Sequence, residues 1–288
     1  MQHALEIKHL SKSYKNSSFT LDDINLTVPK GSIVGIVGKN GAGKSTTINA
    51  LFDIIHKDSG EVLFYGMPLT KQHRDLKHEI GVVFDSSPFP GEMNIKQLEK
   101  VLVDLYHSFE IEKFHEFIQT FDLPIGKKLK HFSRGMAMKL SIAVALSHGA
   151  KLLILDEATA GLDPVVREEI LDLFLDFVSD EEHAILMSSH ITSDLEKVAD
   201  YITFIDDGQI IFTENKDTLI YEYGIARMKE QDLKNLSENE YIVHRKRGLQ
   251  IEALVKDKAS FMKNHPSILV DSLKIDEILP LIVKGENC

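Results

Sequence analysis

The run Gly38-Lys39-Asn40-Gly41-Ala42-Gly43-Lys44-Ser45-Thr46 fits the pattern G-x-x-x-x-G-K-[ST]. Such a run suits a phosphate group, because its glycines let the backbone curl closely round an anion and turn N–H groups inward. Gly38, Asn40, Gly41, Ala42 and Gly43 would form this cradle. Lys44 would neutralise the β- and γ-phosphates, Ser45 would ligate Mg²⁺, and Thr46 would add a hydroxyl near the α-phosphate. A second constellation is Leu152-Leu153-Ile154-Leu155-Asp156-Glu157. Four apolar residues followed by two acids put carboxylates at the C-terminal end of a buried strand, where parallel α/β sheets bind their ligands. Asp156 would hold Mg²⁺, through water or directly. Glu157 is placed to polarise an attacking water as general base. The two runs together describe a site for a nucleoside triphosphate and Mg²⁺.

These residues need elements to position them. Ser32–Val37 is apolar enough for a buried strand, and a helix over about Lys44–Phe52 follows the glycine turn. The start of that helix would add partial positive charge at the phosphate. Leu5 and Ile7, then Ile24, Leu26 and Val28, alternate as in half-buried strands. Further buried strands are predicted at Gly81–Phe84, Leu152–Asp156 and Ala184–Ser189. Helices between them argue for an α/β fold with a largely parallel sheet. Residues 94–120 read as helix, with Ile95, Leu98, Val101, Leu102 and Leu105 at spacings of three and four. Ile202–Phe212 reads as a hairpin turning at Asp206-Asp207-Gly208.

After about residue 214 the character changes. Lys216–Tyr223 reads as a linking helix that Gly224 would end. Tyr241–Lys246 and Leu249–Val255 could pair across Arg247-Gly248. Helices near Asp257–Asn264 and Asp276–Val283 complete a small α+β appendix over residues 215–288.

The 288 residues suit roughly two domains, and 43% hydrophobic content supplies a core and excludes a disordered chain. A net charge of −11 argues against a nucleic-acid partner. The lone cysteine, Cys288, fits a reducing compartment. No apolar run approaches the ~20 residues of a spanning helix, and Met1–Ala4 lacks the blocks of a signal peptide. Any membrane role would need spans from another chain.

Three further segments narrow the reading. Phe132-Ser133-Arg134-Gly135-Met136 precedes a predicted helix, Gly161-Leu162-Asp163-Pro164 follows Glu157, and Ser189-His190 closes the next strand. In this order they resemble the signature, D-loop and switch histidine of ABC-type ATP-binding cassettes. Tyr14 stands where that family stacks an aromatic ring on adenine. The resemblance covers about residues 1–212. It implies a nucleotide-binding domain over residues 1–214, with a helical subdomain at about 86–150 and the accessory domain after it. It also implies ATP and Mg²⁺, with Ser133 and Gly135 serving the nucleotide held by a second ATP-binding subunit and Asp163, in the D-loop, as a further nucleotide-binding residue. His190 would assist Glu157 and Lys44 in catalysis. The small appendix and relaxed signature resemble ABC-2-type exporter ATPases, including those of bacterial peptide exporters such as the phenol-soluble modulin transporter. Such chains drive separately encoded transmembrane permease subunits from the cytoplasmic face of the membrane.

Simpler roles fit some of the same residues. Ser133 is a good helix N-cap, and Asp163-Pro164 suits the start of a helix over Val165–Val178. The sequence departs from the family pattern at Asp85, usually glutamine, at Arg134, usually glycine, and at Met136, usually glutamine. Asp85 would act as a switch residue that touches Mg²⁺, and Arg134 would add a cation near the opposite subunit's phosphate. The competing reading is a non-transport ABC ATPase acting on ribosome or DNA, with His244-Arg245-Lys246-Arg247 as its basic contact.

Overall fold

The computed structural model describes residues 3–15 and 17–287, so Cys288 lies outside the described residues. Ser32–Val37 is wholly buried and forms the centre of a six-stranded sheet. The strand order is Gln209–Asn215, Tyr201–Asp206, Ser32–Val37, Ala184–Ser189, Leu152–Asp156, Ile80–Val83. All neighbours pair in parallel except the first two, which form the predicted hairpin. Its turn residues Asp207 and Gly208 both have positive φ, 45° and 79°, the geometry of a two-residue turn whose twist matches its strands. A second sheet is antiparallel, in the order Thr20–Pro29, His3–Ser13, Ser59–Phe64, Met67–Pro68. Its apolar face packs on one side of the main sheet through Leu5, Ile24, Phe64, Val34 and Leu186.

The other side of the main sheet carries the helical segments. Asn94 and Gln97 form a reciprocal cap for the helix Ile95–Leu105. The expected continuous helix over 94–120 is interrupted. A second helix runs Ile111–Thr120, and the chain between turns aside to bond the end of a third, Arg134–Ser147. Glu110 N donates to Ser147 O at 2.7 Å, and Ser108 Oγ donates to His148 O at 2.7 Å. These long-range bonds override an apolar spacing that continues unbroken through the turn.

The C-terminal segment differs more from expectation. Lys216–Tyr221 is helical, but Gly224 does not end that helix. It opens the strand Gly224–Met228, the central partner of Gln250–Val255 and Leu269–Ser272 in a five-stranded antiparallel sheet. A Cβ at Gly224 would lie 2.6 Å from Val270 Cγ1, so the glycine serves close strand packing. The hairpin Val243–Arg247 to Gln250–Val255 turns on Gly248-Leu249, one residue later than predicted. The helix Ile275–Lys284 lies against this sheet and also against the helix Thr192–Val198 of the main body. Ile275, Ile278 and Leu281 join Leu195, Ile202 and Phe204 in one continuous apolar core. The tail is thus distinct in topology but continuous with the main body in packing.

Candidate functional site

The strand Ser32–Val37 delivers the chain to the glycine run. A Cβ at Gly38 would come 2.4 Å from Ile205 O, so a larger residue there would force the loop off the neighbouring strand. Gly43, at φ 118°, stands where L side chains are strained, and it opens the helix Lys44–Leu51 with no side-chain cap. The uncapped first N–H groups and the helix dipole favour an anion there. Lys44 is only 5% exposed. Its Nζ donates to Gly38 O at 2.8 Å and lies 3.4 Å from Glu157 Oε1, which fixes the ammonium over the loop.

Leu152–Asp156 carries the acids to the same end of the sheet. Asp156 is 4% exposed and accepts a 2.6 Å hydrogen bond from Ser188 Oγ. Ser188 Oγ also accepts from Glu157 N at 3.1 Å. Glu157 has φ 54°, an uncommon conformation for a non-glycine residue that turns its side chain from the strand end into the cavity. Its Oε2 accepts from His190 Nδ1 at 2.5 Å and faces His190 N at 3.3 Å. Ser188 therefore organises both acids. Sequence reasoning missed it, although a serine at the end of an apolar strand needs a buried partner.

These groups open on a cavity of about 700 Å³. Asn40, Gly41, Gly43, Lys44, Ser45 and Thr46 of the glycine run line it, together with Glu157, His190, Asp85 and Arg134. Asp156 lies buried beneath it. An adjoining cleft of about 480 Å³ holds Tyr14, Phe19 and Thr46. The Tyr14 and Phe19 rings are 6.5 Å apart and tilted, which offers two apolar faces beside the phosphate loop. Phe19 was not singled out from the sequence; the signal was an aromatic residue just before the strand Thr20–Pro29.

Ser133, Gly135 and Asp163 do not line the cavity. Ser133 Oγ accepts from Met136 N at 3.2 Å, and Asp163 Oδ1 accepts from Val166 N at 3.1 Å, so both cap helices. The two segments nevertheless adjoin, because a Cβ at Gly135 would lie 3.7 Å from Leu162 Cδ2. Arg134 behaves otherwise: it reaches back and pairs with Asp85 of its own chain.

The oxygen donors present, Ser45, Asp85 and Asp156, suit a hard cation such as Mg²⁺, and the loop and Lys44 suit a polyphosphate. A largely parallel sheet with this loop and these acids at one end defines a P-loop nucleoside triphosphatase. Comparison with known proteins takes the class further. The sequence profile of the ABC transporter family matches residues 21–160. The ABC transporter ATP-binding protein YtrB of Bacillus subtilis (strain 168) is 33% identical over 219 residues, which cover 76% of this chain and 74% of YtrB. The lantibiotic transport ATP-binding protein SrtF of Streptococcus pyogenes is 36% identical over 214 residues, covering 74% of this chain and 91% of SrtF. Among solved structures, the dimeric ATP-binding cassette MJ0796 bound to ADP and Pi superposes with a TM-score of 0.65 at 22% identity, covering 74% of this chain and 98% of that one. The chain belongs to the ABC transporter ATP-binding family, and it is an ATP-binding, ATP-hydrolysing subunit.

Proposed function

We propose that this chain is the motor of an ABC exporter: it binds Mg²⁺–ATP between itself and a second ATP-binding subunit and drives separately encoded transmembrane permease subunits from the cytoplasmic face. The observation that carries the catalytic part is the position of Glu157, held between Lys44 and His190 at the mouth of the phosphate loop. Lys44 would transfer its contact from Glu157 to the β- and γ-phosphates. That frees the carboxylate to take a proton from water, while His190 keeps it oriented. Mg²⁺, when bound by Ser45, Asp156 and Asp85, would offset charge on the phosphate oxygens.

Dimerisation is supported by what the cavity lacks. Ser133, Gly135 and Asp163 adjoin one another off the cavity, as groups that serve a partner's nucleotide would. MJ0796 is a dimeric precedent with the same fold. No helix among the described residues is long and apolar enough to cross a membrane. SrtF, named for lantibiotic transport, supports a peptide or toxin substrate, with drugs as the alternative cargo.

Of the basic contact that the ribosome or DNA reading needs, only Arg245 is sequestered, at 15% exposure; Lys246 and Arg247 stay 60% and 70% exposed, so it is the net charge of −11 that weighs against that reading. Arg245 is paired with Glu252 at 2.6 Å, Lys246 with Glu230 at 2.9 Å, and Arg247 faces Glu252 at 3.4 Å. The deciding experiment purifies the chain from membranes, identifies what accompanies it, and compares its ATPase rate with that of Glu157→Gln. Recovery with ribosomes instead of membrane proteins would overturn the exporter reading.

A further inference from the structure

The cavity contains two cations and neutralises both with its own carboxylates. Lys44 faces Glu157 on one side, and Arg134 pairs with Asp85 on the other. The two pairs differ in burial. Lys44 is 5% exposed, whereas the side chains of Arg134 and Asp85 are 58% and 55% exposed. An exposed pair holds its partners weakly, by up to about a fivefold bias in an equilibrium. It therefore yields readily when better partners arrive.

Mg²⁺–ATP brings both better partners at once. A carboxylate prefers a divalent cation to a guanidinium, and a guanidinium matches phosphate bidentately. Arg134 is well placed for the exchange. It is the first residue of the helix Arg134–Ser147, behind the Ser133 cap, and its side chain lines the same cavity as Lys44 and Thr46. Its stem passes the turn at Gly161, because a Cβ there would lie 3.8 Å from Arg134 Cδ. Asp85 follows the strand Ile80–Val83, whereas Arg134 belongs to the helical segment. The pair therefore fastens the helical segment to the sheet.

We infer that Arg134 is a phosphate-contacting residue of its own chain's nucleotide site, held in reserve by Asp85 until Mg²⁺ draws that carboxylate away. This rests on the nucleotide-site reading above and deepens it. The arginine that takes the place of a signature glycine serves the chain that carries it. Because both residues are exposed, neither substitution should prevent folding.

The test measures equilibrium ATP binding on a Glu157→Gln background, at protein concentrations where the chain is monomeric, with EDTA or with Mg²⁺. Arg134→Gln should weaken Mg²⁺–ATP binding roughly tenfold, the scale of one charge-assisted hydrogen bond. Arg134→Lys should recover part of the loss. Asp85→Asn should tighten metal-free ATP binding by releasing the arginine. Asp85→Asn with Arg134→Gln should be non-additive by up to about fivefold. Unchanged monomer affinity in Arg134→Gln, with a defect only in ATP-driven dimerisation, would assign the arginine to the opposite subunit and overturn the inference. Additive single effects would remove the reserve pairing. A Lys44→Ala control separates these outcomes from failure of the site itself, since unchanged binding there would reject the nucleotide site as a whole.

Discussion

His190 Nδ1 lies 2.5 Å from Glu157 Oε2, and the main-chain N–H of the same histidine faces that oxygen at 3.3 Å. The carboxylate is thus aimed by the residue that follows the neighbouring strand Ala184–Ser189. Glu157→Gln should bind ATP normally and lose hydrolysis by ~10²–10⁴-fold, the usual cost of removing a general base. It should also accumulate an ATP-bound dimer, visible by size-exclusion chromatography. Turnover at the normal rate would move the base elsewhere.

Lys44→Ala removes a buried ammonium and leaves Glu157 facing the loop without its cation. Nucleotide affinity should fall by roughly tenfold to a hundredfold, the range for hydrogen bonds to charged groups. Titration with a fluorescent ATP analogue checks this. The fold should survive, because the lysine's other contacts are the loop carbonyls Gly38 O and Lys39 O.

Ile278 is fully buried where the last long helix meets the main body. Ile278→Ala should destabilise the chain by about 2–5 kcal/mol, read from denaturant unfolding. A lower midpoint with an unchanged slope is expected. For the same reason, truncation near residue 215 should expose Leu195 and Phe204 and give a poorly soluble product, although the recognised chemistry lies earlier in the chain.

Glu252 is 2% exposed and receives guanidinium contacts from Arg227 and Arg245, both at 2.6 Å. Burial alone would raise its pKa, but hydrogen bonding from Arg245 and the charges of Arg245 and Arg227 outweigh it and hold the carboxyl below the usual glutamate range. A depressed folded value stabilises the fold above the unfolded value of about 4.3, and that contribution disappears as pH falls through the folded value. Glu252→Gln should cost about 1–3 kcal/mol at neutral pH, because Arg245 loses its carboxylate while Arg227 keeps Asp271. It should also flatten the loss of stability in acid. An unaltered acid-unfolding curve would show that the ion-pair cluster contributes nothing to that transition.

The phosphate loop, the acidic strand end and the histidine beside Glu157 were legible because each is local: an apolar run followed at once by polar residues. The parallel order of the main sheet followed from helices between such runs. What was not legible depended on distant partners. Gly224 carries the same local signal whether it ends a helix or begins a strand, and only Val270 decides between them. The break after Leu105 is made by the far end of the helix Arg134–Ser147, through Ser147 O and His148 O. Asp85 and Arg134 were each noticed as departures from a pattern, but residues so far apart in the chain gave no sign that they meet.

Glu196 Oε1 accepts from Ile275 N at 3.1 Å, so the tail's last long helix begins on the short helix that follows His190. With a shared apolar core behind that contact, the chain should melt as one thermodynamic unit. Ligand bound only to the native state protects everything that unfolds with it, by about 2.7 kcal/mol at a hundredfold excess over Kd. ATP should therefore shield the tail from proteases as strongly as it shields the loop it touches. Conversely, a ligand that binds only the native tail protects the phosphate loop against unfolding by the same linkage. The tail and the ATP site thus share one margin against unfolding.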